Sequence, residues 1–225
     1  MGVHDGHRQR MIQRFVENGL DNFQEHEILE LLLFYCIPRQ NTNPLAHTLI
    51  DTFGSLSGVL NASPHTLQEI PGVGANTAAF LTLLPHITRI YYCQQQEEKG
   101  LNAPNALGEY LLSKFLGLQN EVVFVLCLDA KGKMIACEKI HEGGMSAAEI
   151  PLNKLLNTAV KNRASQVILA HNHPSGLATP SREDVVVTKT IKDILYAAGI
   201  RLTDHIIVGG NDYTSMADSN ILSTL

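Results

Sequence analysis

The segment from residue 166 to residue 184 constrains the fold more than any other part of the chain. Residues 166–170 read Gln-Val-Ile-Leu-Ala, a short apolar run that predicts a buried β-strand. Because strand side chains alternate between two faces, His171 and His173 would project to the same side and could share one ligand. The turn residues Pro174-Ser175-Gly176 then end the strand. The fold must therefore place two imidazoles at the end of a core strand.

A helix start follows this turn and carries a carboxylate. Ser181 is predicted to cap a helix over residues 182–198, which puts Asp184 in the first helical turn. Two histidines and one carboxylate, with a fourth position left for water, form the ligand set of a catalytic zinc site. A histidine pair alone is usually no metal site, and Ser181 with Asp184 could form only a capping box. With all four residues in register, the sequence favours Zn²⁺ bound by His171, His173 and Asp184.

The same residues carry a resemblance to a known family. The pattern His-x-His, seven residues, Ser, two residues, Asp is the JAMM signature of the JAB/MPN metalloproteases. The fuller string His-Asn-His-Pro-Ser-Gly, together with Pro180-Ser181, resembles the RadC family in particular. This resemblance implies a two-domain α+β protein. A small all-α helix-hairpin-helix domain would cover residues 1–100, and an α/β JAB/MPN (deaminase-like) domain would cover residues 101–225, with helices on both sides of a curved sheet.

The resemblance also implies roles for two further side chains. In RadC-like chains the glutamate that activates water begins the segment Glu-Val-x-x-Val-Leu-x-Leu-Asp, which residues 121–129 match. Glu121 is therefore the expected general base, and a solvated glutamate before a strand is the alternative. Ser181 is the expected donor to the oxyanion, in competition with its capping role, because one hydroxyl is not expected to serve both fully.

Two other positions bear on this site. The chain reads Ile150-Pro151-Leu152-Asn153 where the family usually has His-Pro-Arg-Glu. This departure leaves the metal ligands unchanged but alters a loop expected near the sheet edge, so it concerns the positioning of substrate. His205 could support a metal ligand through a hydrogen bond, but a structural histidine is the favoured interpretation.

The first hundred residues show helical periodicity. Apolar spacing predicts helices over residues 25–36 and 43–53, the second with Asn43 as N-cap and Pro44 at the first helical position. Ser63-Pro64 predicts a further helix start by the same device. The first half of the protein is therefore predicted to be entirely α-helical.

A glycine turn lies between two of these helices. Residues 70–75 read Ile-Pro-Gly-Val-Gly-Ala and are typical of a helix-hairpin-helix motif. In such a motif the backbone N–H groups near Gly72 and Gly74 can face a DNA phosphate. No lysine or arginine lies between Arg39 and Arg89, so glycines that only permit close helix packing are an equal alternative.

The second half of the chain alternates between strand and helix patterns. Gly100 and Asn102-Ala103-Pro104 predict a linker, which sets the domain boundary near residue 100. Mixed elements of this kind form an α/β or α+β layer around one sheet. Strands are predicted over 121–129, 134–140, 166–171, 200–208 and 213–216, and helices over 105–115, 151–161 and 182–198.

Composition limits the class of protein. The hydrophobic content of 44% and charged content of 17% are typical of a globular chain. The net charge of −5 lacks the basic excess of a protein that binds nucleic acid mainly through its phosphates. The four cysteines form no Cys-x-x-Cys pair, and no signal peptide or membrane-spanning run is visible. We therefore expect a cytoplasmic protein with no membrane contact.

Two functions remain as hypotheses. The first is a zinc-dependent metallopeptidase or other amide hydrolase of the RadC type, acting on a protein or peptide substrate. The second is a DNA-associated accessory protein of the repair type, in which the hairpin domain binds DNA and the metal domain is a binding or structural module. The register of Glu121, both histidines, Ser181 and Asp184 favours the enzyme, because a binding module has no need of a base.

Overall fold

A computed structural model describes residues 6–99, 105–143 and 150–225. The chain divides into two compact units, which we call the helical unit (Met1–Thr88) and the sheet unit (Arg89–Leu225). The linker predicted at residues 102–104 lies outside the described residues. Within the described ranges, no helix is both long enough and apolar enough to cross a membrane.

The helical unit is built from helices whose apolar faces enclose a main core and a smaller cluster that contains Met11 and Phe34. Ser63 caps a helix start as predicted, with its hydroxyl accepting from the Thr66 N–H, whereas the N-cap of the third helix is Thr42 and not the predicted Asn43. The core contains Leu29, Leu33, Leu49, Leu67 and Leu81. The helices are α1 (His7–Asn18), α2 (Glu25–Cys36), α3 (Asn43–Phe53), α4 (Leu56–Asn61), α5 (Pro64–Gln68) and α6 (Ala75–Lys99), the last of which continues into the sheet unit.

The turn before α6 contains the glycines singled out in the sequence. Gly72 has a φ of 96°, a left-handed conformation that glycine adopts without strain. Val73 N donates to the Ile70 carbonyl, which tightens the turn. The helix-hairpin-helix assignment and DNA contact at Gly72 and Gly74 stay predictions.

The sheet unit contains one mixed sheet of five strands in the order β2-β1-β3-β4-β5. Strand β3 lies antiparallel to β1 and parallel to β4, so it is paired on both edges. The strands are β1 (Val122–Leu128), β2 (Met134–Glu142), β3 (Gln166–Asn172), β4 (Arg201–Gly209) and β5 (Asp212–Ser215). The helices are the end of α6, then α7 (Ala106–Phe115), α8 (Leu152–Lys161) and α9 (Arg182–Ala197).

Helices cover both faces of this sheet, as predicted. On one face, Leu155 of α8 and Ile191 of α9 pack against Val125 and Leu169. On the other face, Leu111 of α7 packs against Leu126 and its neighbours. All seven residues of β1 are buried, which agrees with the continuous apolar run in the sequence. The carboxyl end of β3 therefore brings polar side chains into a buried part of the sheet.

Candidate metal centre

The two histidines of the motif lie at the carboxyl end of β3. His171 is fully buried and pairs with Val123 of β1 and Ile207 of β4. His173 lies just beyond the strand, but its N–H still donates to the Val208 carbonyl at 2.7 Å, which keeps it in line with the sheet. The two Nε2 atoms are 2.9 Å apart. The strand alternation thus brings both rings to one point, as the spacing predicts.

Asp184 reaches the same point from the first turn of α9. Its backbone N–H donates to the Ser181 hydroxyl, and its Oδ2 accepts from the Ser181 N–H at 2.6 Å, which completes a capping box. The carboxylate is 2% exposed; Oδ1 lies 3.2 Å from His171 Nε2, and Oδ2 lies 3.4 Å from His173 Nε2. The capping box therefore holds the carboxylate against the histidine pair.

The loop after β3 fixes which nitrogen of His173 carries its hydrogen. His173 Nδ1 lies 2.8 Å from the Leu177 carbonyl oxygen. Because a carbonyl oxygen can only accept, Nδ1 carries the hydrogen and Nε2 of a neutral ring presents a lone pair. The loop reaches this position because Gly209 at the end of β4 has no side chain; a Cβ there would overlap with the Leu177 carbonyl carbon and the Ala178 nitrogen.

A buried chain of hydrogen bonds fixes His171 in the same way. The Thr188 hydroxyl contacts the Asp184 carbonyl oxygen, which can only accept, so the single hydroxyl hydrogen is used there. Thr188 Oγ1 must then accept from His205 Nδ1. His205 Nε2 is left as an acceptor for His171 Nδ1, 2.8 Å away. His171 Nε2 therefore also presents a lone pair, and the sequence-based interpretation of His205 as a merely structural histidine is incomplete.

Burial supports the same assignment of hydrogens. His205 is fully buried, and the cost of removing a cation from water lowers the pKa of His205 well below its usual value, so the ring is neutral. Burial raises the pKa of Asp184, but a proton on His171 Nε2 and the hydrogen bonds of Ser181 outweigh it and hold that pKa below its ordinary range, so the carboxylate attracts a positive charge to the place between it and His171. The carboxylate is therefore ionised.

The site thus gathers three electron-pair donors with no hydrogen of their own between them. Nε2 of His171, Nε2 of His173 and the Asp184 carboxylate are separated by 2.9 to 3.4 Å. Such lone pairs repel one another unless a proton or a metal cation lies among them. Ligands at 2.0–2.1 Å from a tetrahedral zinc ion are about 3.3 Å apart, so the donor set and its spacing fit Zn²⁺.

Glu121 lies beside this cluster, immediately before β1. One of its carboxylate oxygens and ligating atoms of His171 and His173 all lie within 4.8 Å of one another. Glu121 is partly buried, and this burial raises its pKa although the neighbouring histidines act in the opposite direction. A carboxyl group whose pKa is raised towards neutrality is suited to take up and release a proton.

Ser181 lies at the N-cap of α9, where the sequence predicts it. Its hydroxyl oxygen accepts from Asp184 N at 3.1 Å. Accepting this bond uses a lone pair and leaves the hydroxyl hydrogen for another acceptor. Capping therefore leaves the hydroxyl hydrogen of Ser181 available, and its donation to an oxyanion stays a prediction.

The segment that departs from the family lies beside the edge strand of the sheet. Ile150 is buried in the core, and Pro151 caps α8. The Lys154 amine in the first turn of α8 donates to the Ile140 carbonyl of β2 at 2.9 Å. The segment therefore borders β2, and the effect of the departure on the positioning of substrate stays a prediction.

A sheet with helices on both faces and a two-histidine, one-carboxylate cluster at a strand end is the arrangement expected of a JAB-type domain. Residues 101–221 match the family described as the RadC-like JAB domain, and the chain belongs to the RadC family. A UPF0758 protein of Fusobacterium nucleatum is 35% identical, over 96% of this chain and 97% of the relative. UPF0758 proteins of Polaromonas sp. (33%; 93% and 94%) and Ruegeria pomeroyi (35%; 90% and 91%) are similar over comparable lengths.

Proposed function

We propose that this protein is a zinc-dependent amide hydrolase of the JAMM type, acting on a peptide or isopeptide bond of a protein substrate. The observation that carries the proposal is that three electron-pair donors converge on one point. The Nδ1 hydrogens of the two histidine rings are used in hydrogen bonds on the side away from that point. His171, His173 and Asp184 would hold the metal. Zinc bound there would supply Lewis acidity, which allows amide hydrolysis near neutral pH.

Glu121 has the position and the protonation behaviour of the general base. It would take the proton from the attacking water and deliver it to the leaving nitrogen, so one carboxylate serves both halves of the reaction. Asp184 is joined to Ser181 by two hydrogen bonds, and its oxygens lie 3.2 and 3.4 Å from the two histidine Nε2 atoms, whereas Glu121 belongs to a different segment and is placed only within 4.8 Å of the histidine nitrogens. This difference supports Asp184 as the ligand and Glu121 as the base.

Ser181 would stabilise the negative charge that develops on the carbonyl oxygen during the attack. Its oxygen accepts from the Asp184 N–H, which leaves its own hydrogen for donation to such an oxygen. A pre-positioned donor of this kind contributes on the order of 3 kcal/mol of transition-state stabilisation.

The metal content of purified variants tests this proposal. We expect about one zinc ion per parent chain after reconstitution with Zn²⁺, and loss of zinc from His173→Ala. Glu121→Ala should keep the zinc and lose hydrolysis of a peptide library by about 10²- to 10⁴-fold. His65→Ala, which replaces an exposed histidine of the helical unit, is the matched control and should change neither quantity.

Two results would contradict the proposal in different ways. A parent chain without zinc after reconstitution would remove the enzyme assignment altogether. Equal loss of zinc from His173→Ala and Glu121→Ala would make Glu121 a ligand, and the base would then have to be another residue.

A further inference from the structure

The residue between the two motif histidines has its own set of contacts. The Asn172 side chain is buried, with 6% of the residue exposed. Its Oδ1 accepts from the Val122 N–H at 2.8 Å, and its Nδ2 donates to the Asn120 carbonyl at 3.0 Å. These two groups lie on either side of Glu121 in the chain. Asn172 therefore points away from its histidine neighbours and grips the segment that carries the proposed base.

This grip replaces backbone pairing at the place where the strands separate. The ladder between β1 and β3 ends at the pair formed by Val123 and His171. Beyond this pair, the carboxamide of Asn172 supplies one donor and one acceptor, as a peptide group would. On the other side, the Gly143 N–H donates to the Glu121 carbonyl at 2.9 Å. The backbone around Glu121 is thus held from both sides, and its side chain stays available to the cluster.

We propose that Asn172 is a positioning residue that fixes Glu121 at the metal centre. The same short stretch of β3 would then supply two metal ligands and, between them, the group that sets the distance of the base from those ligands. This inference rests on the proposed function, because it assigns a purpose to the position of Glu121.

The chemistry of the carboxamide shows what asparagine contributes at position 172. Alanine removes both hydrogen bonds and leaves the Val122 N–H and the Asn120 carbonyl without their partner. Aspartate keeps the acceptor for Val122 but places an oxygen against the Asn120 carbonyl, so it removes one bond and adds a repulsion. Asn172→Asp is nearly the same size as the parent side chain and serves as the second variant if Asn172→Ala does not fold.

The test combines Asn172→Ala, Glu121→Ala and the double variant of the full chain, with Asn162→Ala as the matched control. Asn162 also joins two elements of the sheet unit, by bonds from Nδ2 to Glu138 and to the Thr158 carbonyl, but it does not touch the Glu121 segment. Three quantities are measured. They are the rate of amide hydrogen exchange at Val122, the zinc stoichiometry, and the cobalt midpoint, which is the pH at which the visible spectrum of the Co²⁺-substituted protein has completed half of its change.

We expect exchange at Val122 to become about tenfold faster in Asn172→Ala and to be unchanged in Asn162→Ala. All variants should retain zinc. Asn172→Ala and Glu121→Ala should shift the cobalt midpoint by amounts that agree within about 0.3 pH unit, and the double variant should show no further shift. This non-additivity is the signature of a residue that acts through Glu121, and a merely structural role would not produce it.

The failures of the two proposals are distinguishable. A parent chain that binds neither zinc nor cobalt overturns both. Metal binding with additive midpoint shifts in the double variant, or with no shift in Asn172→Ala, overturns the role of Asn172 alone. Loss of zinc from Asn172→Ala and also from Asn172→Asp would show that Asn172 organises the ligands instead of the base.

Discussion

The two units of the protein each bury a carboxylate next to histidine, and the two carboxylates have opposite surroundings. In the helical unit, Glu30 is 1% exposed; one of its oxygens accepts from Asn43 Nδ2 and the other lies 3.1 Å from His7 Nε2. In the sheet unit, Asp184 is 2% exposed and faces two nitrogens whose rings carry their hydrogens on the far side. Both oxygens of Glu30 meet donors, whereas Asp184 meets one donor, the Ser181 N–H, and two histidine nitrogens that present lone pairs.

This difference shows how a structural polar cluster can be told from a binding site. The Glu30 carboxylate needs no further partner, because each of its oxygens already meets a donor. Its neighbour Arg8 is also used up, since its guanidinium donates to the carbonyls of Phe34, Ile37 and Gln40. The Asp184 cluster is complete only when a positive charge joins it. The two clusters contain similar residue types. What separates them is whether each hydrogen-bond acceptor has a donor.

The largest effect should come from removing each carboxylate in turn. Asp184→Ala is expected to weaken zinc binding by on the order of 100-fold or more, because one of three protein ligands is lost. Glu30→Ala should leave zinc binding unchanged and lower the free energy of unfolding of the helical unit by about 2 kcal/mol, because buried partners lose their bonds. Competition with a chromophoric chelator and denaturant unfolding measure the two quantities. Loss of zinc from Glu30→Ala would show that the two carboxylates do not differ in their role in zinc binding.

A smaller effect should follow from cutting the hydrogen-bond chain behind His171. Thr188→Val keeps the shape of the side chain but removes the acceptor for His205 Nδ1, so the tautomer of His171 is no longer fixed. We expect zinc affinity to fall about tenfold, measured by chelator competition.

Thr190→Val is the matched control on the same helix. Its hydroxyl makes the same type of bond to the carbonyl four residues earlier but contacts no histidine. Equal affinities of the two valine variants would show that the chain of bonds does not tune the metal site.

The smallest expected effect is on the pH dependence of the stability of the helical unit. A hydrogen bond from Arg14 lowers the pKa of Glu27 to about 2, below its value in the unfolded chain. The pair therefore stabilises the folded state above the unfolded pKa of about 4.3, and this contribution is lost as the pH falls from there towards the folded pKa.

Glu27→Gln should therefore remove part of the loss of stability on acidification. Urea unfolding at about pH 6 and about pH 3 checks this expectation. Glu17→Gln, on the exposed side of α1, is the control and should retain the pH dependence of the parent. If both variants lost the same amount of unfolding free energy between the two pH values, the assignment would be contradicted.

Much of the fold and the ligand set follows from local sequence. The helix predicted over residues 43–53 and the strand predicted over residues 121–129 are confirmed to within one residue at each end, because apolar periodicity and a proline at a helix start are local signals. The meeting of His171, His173 and Asp184 also follows from a strand, a turn and a capped helix that are adjacent in the chain. Glu121 joined them only through the resemblance to a family.

The contacts of His205 and Asn172, the groups behind the proposed ligands, could not be assigned from the sequence, because these contacts depend on strand pairing. His205 reaches His171 across the parallel pairing of β3 with β4, at a separation of 34 residues. Asn172 binds the Val122 N–H across 50 residues. An asparagine or a histidine in a strand gives no local sign of such a partner. The partner can be identified only when the register of the strands in the sheet is known.

Strand β4 also imposes an order on the assembly of the site. Its His205 and the bare backbone at Gly209 settle the hydrogens of His171 and His173, yet both come later in the chain than every proposed ligand. Parallel pairing closes a long loop and is slow compared with the formation of a local turn or helix. A metal ion captured early would meet ligands whose hydrogens are not yet settled. Tight binding of the proposed zinc ion would therefore require that β4 has joined the sheet.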